Sequence, residues 1–270
     1  MSFVAIEITC TLIVLLYVLV RRRQSSDRIR FGIRFGSLAA AGLVVEATCM
    51  GLYGFYGYVD QWTVTLGPMP LLVALIWPCV IFSAWDLGRA LVGNRPAKIP
   101  WVTGAIVLAD ASLIEPVAVR AGLWAWSEPG LFEVPPVGIL GWAVFGAASV
   151  TWFELNRDGP KWRDVLVVIV AWVITHAALL AAWWGALRWC NETVPGWTAV
   201  AVIWLVSLVL TGWALATKAR EKVPRKVMLI RIPPAIFFMI LLGLYGRDHG
   251  PLVAWTLAFS PPYLALTRFF

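Results

Sequence analysis

Charge is scarce in this chain. Asp, Glu, Lys and Arg make up 14% of its 270 residues, against 60% hydrophobic residues and a mean hydropathy of +0.79. Soluble proteins are roughly half apolar and about a quarter charged. A water-soluble chain of this size could not cover its surface with so few charges, which excludes secreted, disordered, fibrous and nucleic-acid-binding classes. Histidine is nearly missing too, with only His176 and His249 in the sequence. Two distant histidines do not support a haem or a multi-histidine iron centre. The four cysteines (Cys10, Cys49, Cys79 and Cys190) show no paired spacing, so neither a disulfide framework nor a zinc site is indicated. Walker, GxGxxG, HExxH and GxSxG motifs are absent. No repeat emerges either.

What is abundant is uninterrupted apolar sequence. A spanning helix needs about 20 such residues. Runs fall near residues 3–20, 31–52, 67–87, 100–119, 136–153, 164–186, 197–217, 227–246 and 250–268. The last is short and broken by Ser260-Pro261-Pro262, so the expected fold is an all-α polytopic transmembrane bundle of eight to nine spans. It forms a single integral membrane domain over residues 1–270. The first run has no basic leader and no small-residue cleavage site before Arg21-Arg22-Arg23, which predicts an uncleaved first helix.

Basic residues test that threading. Loops 21–30, 88–99, 154–163 and 218–226 hold sixteen Lys and Arg, and the alternate loops hold three: Arg120, Arg188 and Arg247. The positive-inside rule then predicts a multi-pass cell-membrane protein with its N-terminus outside and its C-terminus cytoplasmic. Anionic headgroups are sufficient partners for these loops. Asn191-Glu192-Thr193 matches a glycosylation sequon, but it lies so close to a span that chance accounts for it.

Ionisable groups within spans are costly and are therefore functional candidates. Arg34 and Arg231 lie near inner helix ends and can snorkel to headgroups, and Asp86 lies near an inner end beside the basic loop 88–99. Glu46, Asp110 and Glu115 do not have that excuse. At 1.5 Å per residue they lie about 22, 15 and 22 Å into their helices, with no basic residue expected at that depth. A carboxyl stranded in apolar surroundings holds its proton and suits general-acid chemistry. Pro116 disfavours helical geometry at Glu115, so a helix break is expected there. Aromatics gather on the same side: Tyr53, Tyr56 and Tyr58 follow Glu46, and Trp124 and Trp126 follow Glu115. An interfacial belt explains most of them, and a few could wall a lipophilic slot or face a cation.

Two stretches resemble a known family. One is Glu46-Ala47-Thr48-Cys49-Met50-Gly51-Leu52-Tyr53-Gly54-Phe55-Tyr56-Gly57-Tyr58. The other is Asp110, then Glu115-Pro116-Val117-Ala118, then Trp124-Ala125-Trp126, then Gly141-Trp142. The pattern resembles the polytopic carotenoid biosynthesis proteins that include carotenoid 1,2-hydratases of the bisanhydrobacterioruberin hydratase type, over roughly residues 40–160. The chain departs from the family where it has Glu115 in place of an Asp. It departs again at Phe132-Glu133-Val134-Pro135, in place of a Tyr-Gly-Val-Pro turn.

The resemblance implies a membrane enzyme that adds water across the C1–C2 double bond of an acyclic or monocyclic carotenoid. Such chemistry needs a proton at C2, a tertiary cation at C1 and a water, and calls for no cofactor and no metal. Asp110 or Glu115 is the expected acid, with Glu46 as the partner that stabilises the cation and deprotonates the water. Tyr53, Tyr56, Tyr58, Trp124, Trp126 and Trp142 are the expected substrate-binding residues. Three other readings stay open on the sequence. A cyclase would share the protonation step, although its Pro-x-Glu motif is absent. A carrier for lipophilic molecules would use the same acids as a relay. A noncatalytic scaffold among other pathway enzymes would need none of them.

Overall fold

The computed structural model describes residues 1–93, 95–191 and 195–267. Glu192 and Thr193 of the sequon, and the side chain of Cys190, lie outside what is described. Ten helices carry the architecture: α1 Phe3–Gln24, α2 Arg28–Thr48, α3 Leu71–Val92, α4 Ile99–Arg120, α5 Pro136–Leu155, α6 Val167–Ala182, α7 Gly196–Ala216, α8 Ile232–Leu241, α9 Gly250–Leu257 and α10 Ser260–Leu266. Helices α2, α6 and α8 each run on through one π-helical turn, at Cys49–Tyr53, Trp183–Leu187 and Leu242–Gly246.

Eight helices among the described residues are long and apolar enough to cross a membrane, one for each of the first eight apolar runs. The ninth run is split into α9 and α10. These pack back along α7, so Trp255 and Phe259 meet Val200, and Leu266 meets Ala214 and Ala219 near the basic segment 218–226. The chain thus makes a broken ninth passage. Many outward side chains are large and apolar, including Leu12, Leu16, Val202, Leu205 and Val209. Only lipid is a suitable solvent for such faces.

Helices α1 to α6 form the core, with α4 along α5 and α5 along α6. Ion pairs fasten the end that carries the basic loops. Arg30 and Arg34 both hold Asp164, which is fully buried and also accepts from Asn156 Nδ2 at 2.8 Å. Arg21 pairs with Asp86 at 2.9 Å, and Arg89 with Glu154 at 2.9 Å. Snorkelling therefore does not describe Arg34, which points inward and also lies over the rings of Trp85 and Phe153.

The expected break at Glu115 is corrected. Helix α4 continues through Pro116 to Arg120 and ends at Ala121-Gly122. A mid-helix proline lacks the N–H that would bond the carbonyl four residues back, here that of Ser112. Trp255 Nε1 on α9 supplies the missing donor to Ser112 O at 2.8 Å. The broken ninth passage thus repairs the proline's defect and lets the helix run on.

Candidate active site

At the end opposite the basic loops, the two Tyr/Trp-rich segments leave their helices and pair as antiparallel strands, β1 Tyr56–Tyr58 and β2 Trp124–Trp126. Their register sets Tyr56 opposite Trp126 and Tyr58 opposite Trp124. Alternation along a strand sends Tyr56 and Tyr58 to one face, with Trp124 and Trp126 beside them. That face is turned inward, over the end of α4. The ring centroids lie 4.6 Å apart for Tyr56–Trp126 and 5.8 Å for Tyr58–Trp124.

Beneath this lid lie two buried carboxyls, 6% exposed at Glu46 and 3% at Glu115. Glu46 accepts from the hydroxyls of Tyr56 and Tyr58, the latter at 2.9 Å, and from Trp77 Nε1 at 3.0 Å. Glu115 accepts three indole N–H groups, from Trp124 at 2.8 Å, Trp126 at 3.0 Å and Trp142 at 2.7 Å. The third partners meet as well: the rings of Trp77 and Trp142 lie 4.2 Å apart. Each carboxyl therefore sits in a cage of three aromatic donors, and the two cages touch ring to ring at every member.

Two glycines make room for the cages. A Cβ at Gly42 would lie 2.7 Å from the Trp77 ring, and one at Gly138 would lie 2.4 Å from that of Trp126. Any larger residue at either position would displace an indole from its carboxyl.

Both carboxyls line a cavity of about 410 Å³ whose remaining wall is almost entirely apolar. Its volume is typical of a small-molecule site, for which the range is about 300–1,000 Å³. Trp124, Trp126, Trp142, Tyr56, Tyr58 and Trp77 form its aromatic end, and side chains of α1, α3 and α8 extend it toward the basic loops.

Asp110 lines the same cavity but in a different setting. Arg231 Nη2 donates to both of its carboxylate oxygens, at 2.6 and 2.7 Å, and Tyr263 adds its hydroxyl at 2.6 Å. Arg231 Nη1 also donates to Ser83 at 2.9 Å. The expectation that no basic residue reaches this depth, and that Arg231 snorkels away, is therefore corrected. The short helix Arg225–Leu229 and the turn into α8 carry Arg231 inward, and the pair is only 13% exposed on each side. The carboxylate attracts the arginine because neither charge has water to turn to.

Of the residues expected at the site, Glu46, Glu115, Tyr56, Tyr58, Trp124, Trp126 and Trp142 come together. Tyr53 does not join them: it lies on the π-helical turn, packed against Phe55 and His176 outside the cavity lining. Trp77, Arg231 and Tyr263 join the site unforeseen. Trp77 carried a usable signal, being a tryptophan placed well inside a span rather than at an interface.

Residues 3–206 match the family of carotenoid biosynthesis proteins, a stretch that holds both carboxyl cages and most of the bundle. Neither the curated proteins nor the solved structures offer a match. With its eight membrane-length helices and most of its length inside the family's pattern, the chain belongs to the carotenoid biosynthesis proteins as a multi-pass membrane member.

Proposed function

We propose that this protein is a carotenoid 1,2-hydratase, working without a cofactor on an acyclic end group. Glu115 is its acid and Glu46 its base. The observation that carries the reading is the donor set of Glu115. Indole N–H groups donate and cannot accept, so none of its three partners can take the Glu115 proton. When present, that proton faces whatever fills the cavity. Once it leaves, three N–H dipoles stabilise the carboxylate that remains.

The chemistry follows in order. The Glu115 O–H bond breaks as the C1–C2 π pair takes the proton at C2. A tertiary cation remains at C1, facing the rings of Trp124, Trp126, Trp142 and Trp77, whose faces are electron-rich. Water adds through an oxygen lone pair, and Glu46 accepts the proton it sheds. Each turnover leaves Glu46 protonated and Glu115 ionised, and water entering the cavity between turnovers takes the proton from one and returns it to the other, because the indoles around Glu115 cannot relay it. Asp110 has both carboxylate oxygens engaged by Arg231 and Tyr263. Its role in this scheme is to anchor α8 and α10 to α4.

The amphipathic demands of the substrate fit the same arrangement. A polyene is soluble only in the bilayer, so a site buried among spans receives it from lipid. On this reading the basic loops face the cytoplasm. That orientation puts the N-terminus outside and the C-terminus inside.

The test is expression in cells that accumulate an acyclic carotenoid such as lycopene, followed by chromatography and mass spectrometry. The expected pigment gains one water per reacted end, and the gain disappears in Glu115→Gln. An isomer of unchanged mass would replace the hydratase by a cyclase.

A further inference from the structure

A threonine in an apolar helix ordinarily returns its hydroxyl proton to the carbonyl four residues back. This protein follows the rule at Thr103, Thr151, Thr211 and Thr256, with distances of 2.7 to 2.9 Å. Thr175 on α6 breaks it. Its side chain is 0% exposed, and its hydroxyl has no hydrogen-bond partner among the described residues. The residue lines the cavity that holds Glu46 and Glu115.

Its helix forms part of the cavity wall beside the elements that carry Glu46 and Trp142. Helix α6 packs on α2, which carries Glu46, and on α5, which carries Trp142. One turn further on, Leu179 lies against Gly141 and joins a cluster with Cys49 and Val137. The adjacent His176 also has unpartnered ring nitrogens, but it faces Tyr53 and Trp172 and does not line the cavity.

We propose that the Thr175 hydroxyl is a binding site for the water molecule that the cation captures, an inference that rests on the hydratase reading. A water held in an apolar cavity needs two or more polar partners. The Thr175 hydroxyl and the Glu46 carboxylate both line this cavity and are its partners in this scheme. A hydroxyl both donates and accepts, so it can hold the water through one hydrogen while the other is directed at Glu46. Both of the water's lone pairs are then free, and one of them faces C1. In the capture step the C1–O bond forms from that lone pair, one water O–H bond breaks, and its proton goes to Glu46. Nothing is oxidised or reduced.

Thr175 is a positioning residue in this scheme, and its loss should uncouple the two halves of the reaction. Without a seated water the C1 cation more often gives back a proton and returns to alkene. In deuterated solvent that return leaves deuterium in recovered substrate.

The experiment uses the full chain in lipid nanodiscs with lycopene in deuterated water, reading alcohol formed and deuterium in recovered alkene. The wild type should give alcohol as its main product. In Thr175→Val, which keeps the shape and deletes the hydroxyl, the alcohol-to-exchange ratio should fall about tenfold, the scale of one lost hydrogen bond. Thr175→Ser should restore it. An unchanged ratio in Thr175→Val, even with both rates lowered together, would overturn the water site while leaving the hydratase reading intact. A wild type that makes no alcohol would overturn the hydratase reading itself, and the water site with it.

Discussion

Tyr58 and Trp124 face each other across a two-strand ladder with their rings 5.8 Å apart, and each gives its polar hydrogen to a different carboxyl. Tyr58 donates to Glu46 and Trp124 to Glu115. This pairing joins the two cages into one site. It also makes the cages chemically unequal, because a phenol can turn to accept and an indole cannot.

That inequality separates two isosteric variants. In Glu46→Gln the amide oxygen still accepts from Trp77, and the NH₂ group donates to Tyr56 and Tyr58, whose hydroxyls rotate to receive it. In Glu115→Gln the NH₂ group must oppose at least one indole N–H. Thermal unfolding should leave Glu46→Gln close to the wild type and destabilise Glu115→Gln by about 1–3 kcal/mol, the cost of buried donors without acceptors. Hydration should be lost in both. Equal stability of the two variants would contradict the cage description.

The Asp110–Arg231 pair is expected to support the fold rather than the chemistry. Removing one member of a buried pair strands the other charge and costs about 3–5 kcal/mol, whereas replacing both with apolar residues is often neutral. Arg231→Met should therefore unfold readily, and Asp110→Leu combined with Arg231→Met should recover most of the loss. The double variant should also keep measurable hydration. A folded double variant with no activity would return Asp110 to the catalytic set.

Gly138 tests the aromatic lid. A methyl there meets Trp126 at 2.4 Å, while one at Gly141 meets only Leu179 at an ordinary 3.4 Å. Gly138→Ala should displace the Trp126 indole from Glu115 and lower turnover by about tenfold, the equivalent of one hydrogen bond. Gly141→Ala should leave turnover near the wild type, and a comparison of the two rates decides the matter.

Phe132 and Glu133 occupy left-handed backbone, with φ of 53° and 64°, in the turn that Leu131 and Val134 close. Non-glycine residues pay about 1–2 kcal/mol for that conformation. Glu133→Gly should raise the melting temperature and leave the products unchanged. A lower melting temperature would show that the Glu133 side chain contributes more than its backbone costs.

Much of this arrangement can be read from the chain itself, for identifiable reasons. Apolar runs and the distribution of basic residues mark the spans, because a bilayer permits few alternatives to a helix. Glu46 and Glu115 stand out because a carboxyl inside a span is expensive. The tryptophans and tyrosines of the two cages are equally visible. Their pairing is not, because three-residue strands have too short a period to register; only the Tyr-Gly-Tyr and Trp-Ala-Trp alternation hints at it. Arg231 is misread for a different reason. Its distance from a helix end suggests snorkelling, and only the packing of α8 against α4 turns it toward Asp110. Pro116 misleads in the same way, since Trp255 lies 139 positions along the chain yet repairs its missing hydrogen bond.

The most direct test of the central claim uses the purified chain in nanodiscs with lycopene, in water enriched in heavy oxygen and with no added cofactor. The account predicts one heavy oxygen in the product for each reacted end, and none in Glu115→Gln. A product whose oxygen comes from dioxygen, or that gains no oxygen at all, would contradict it.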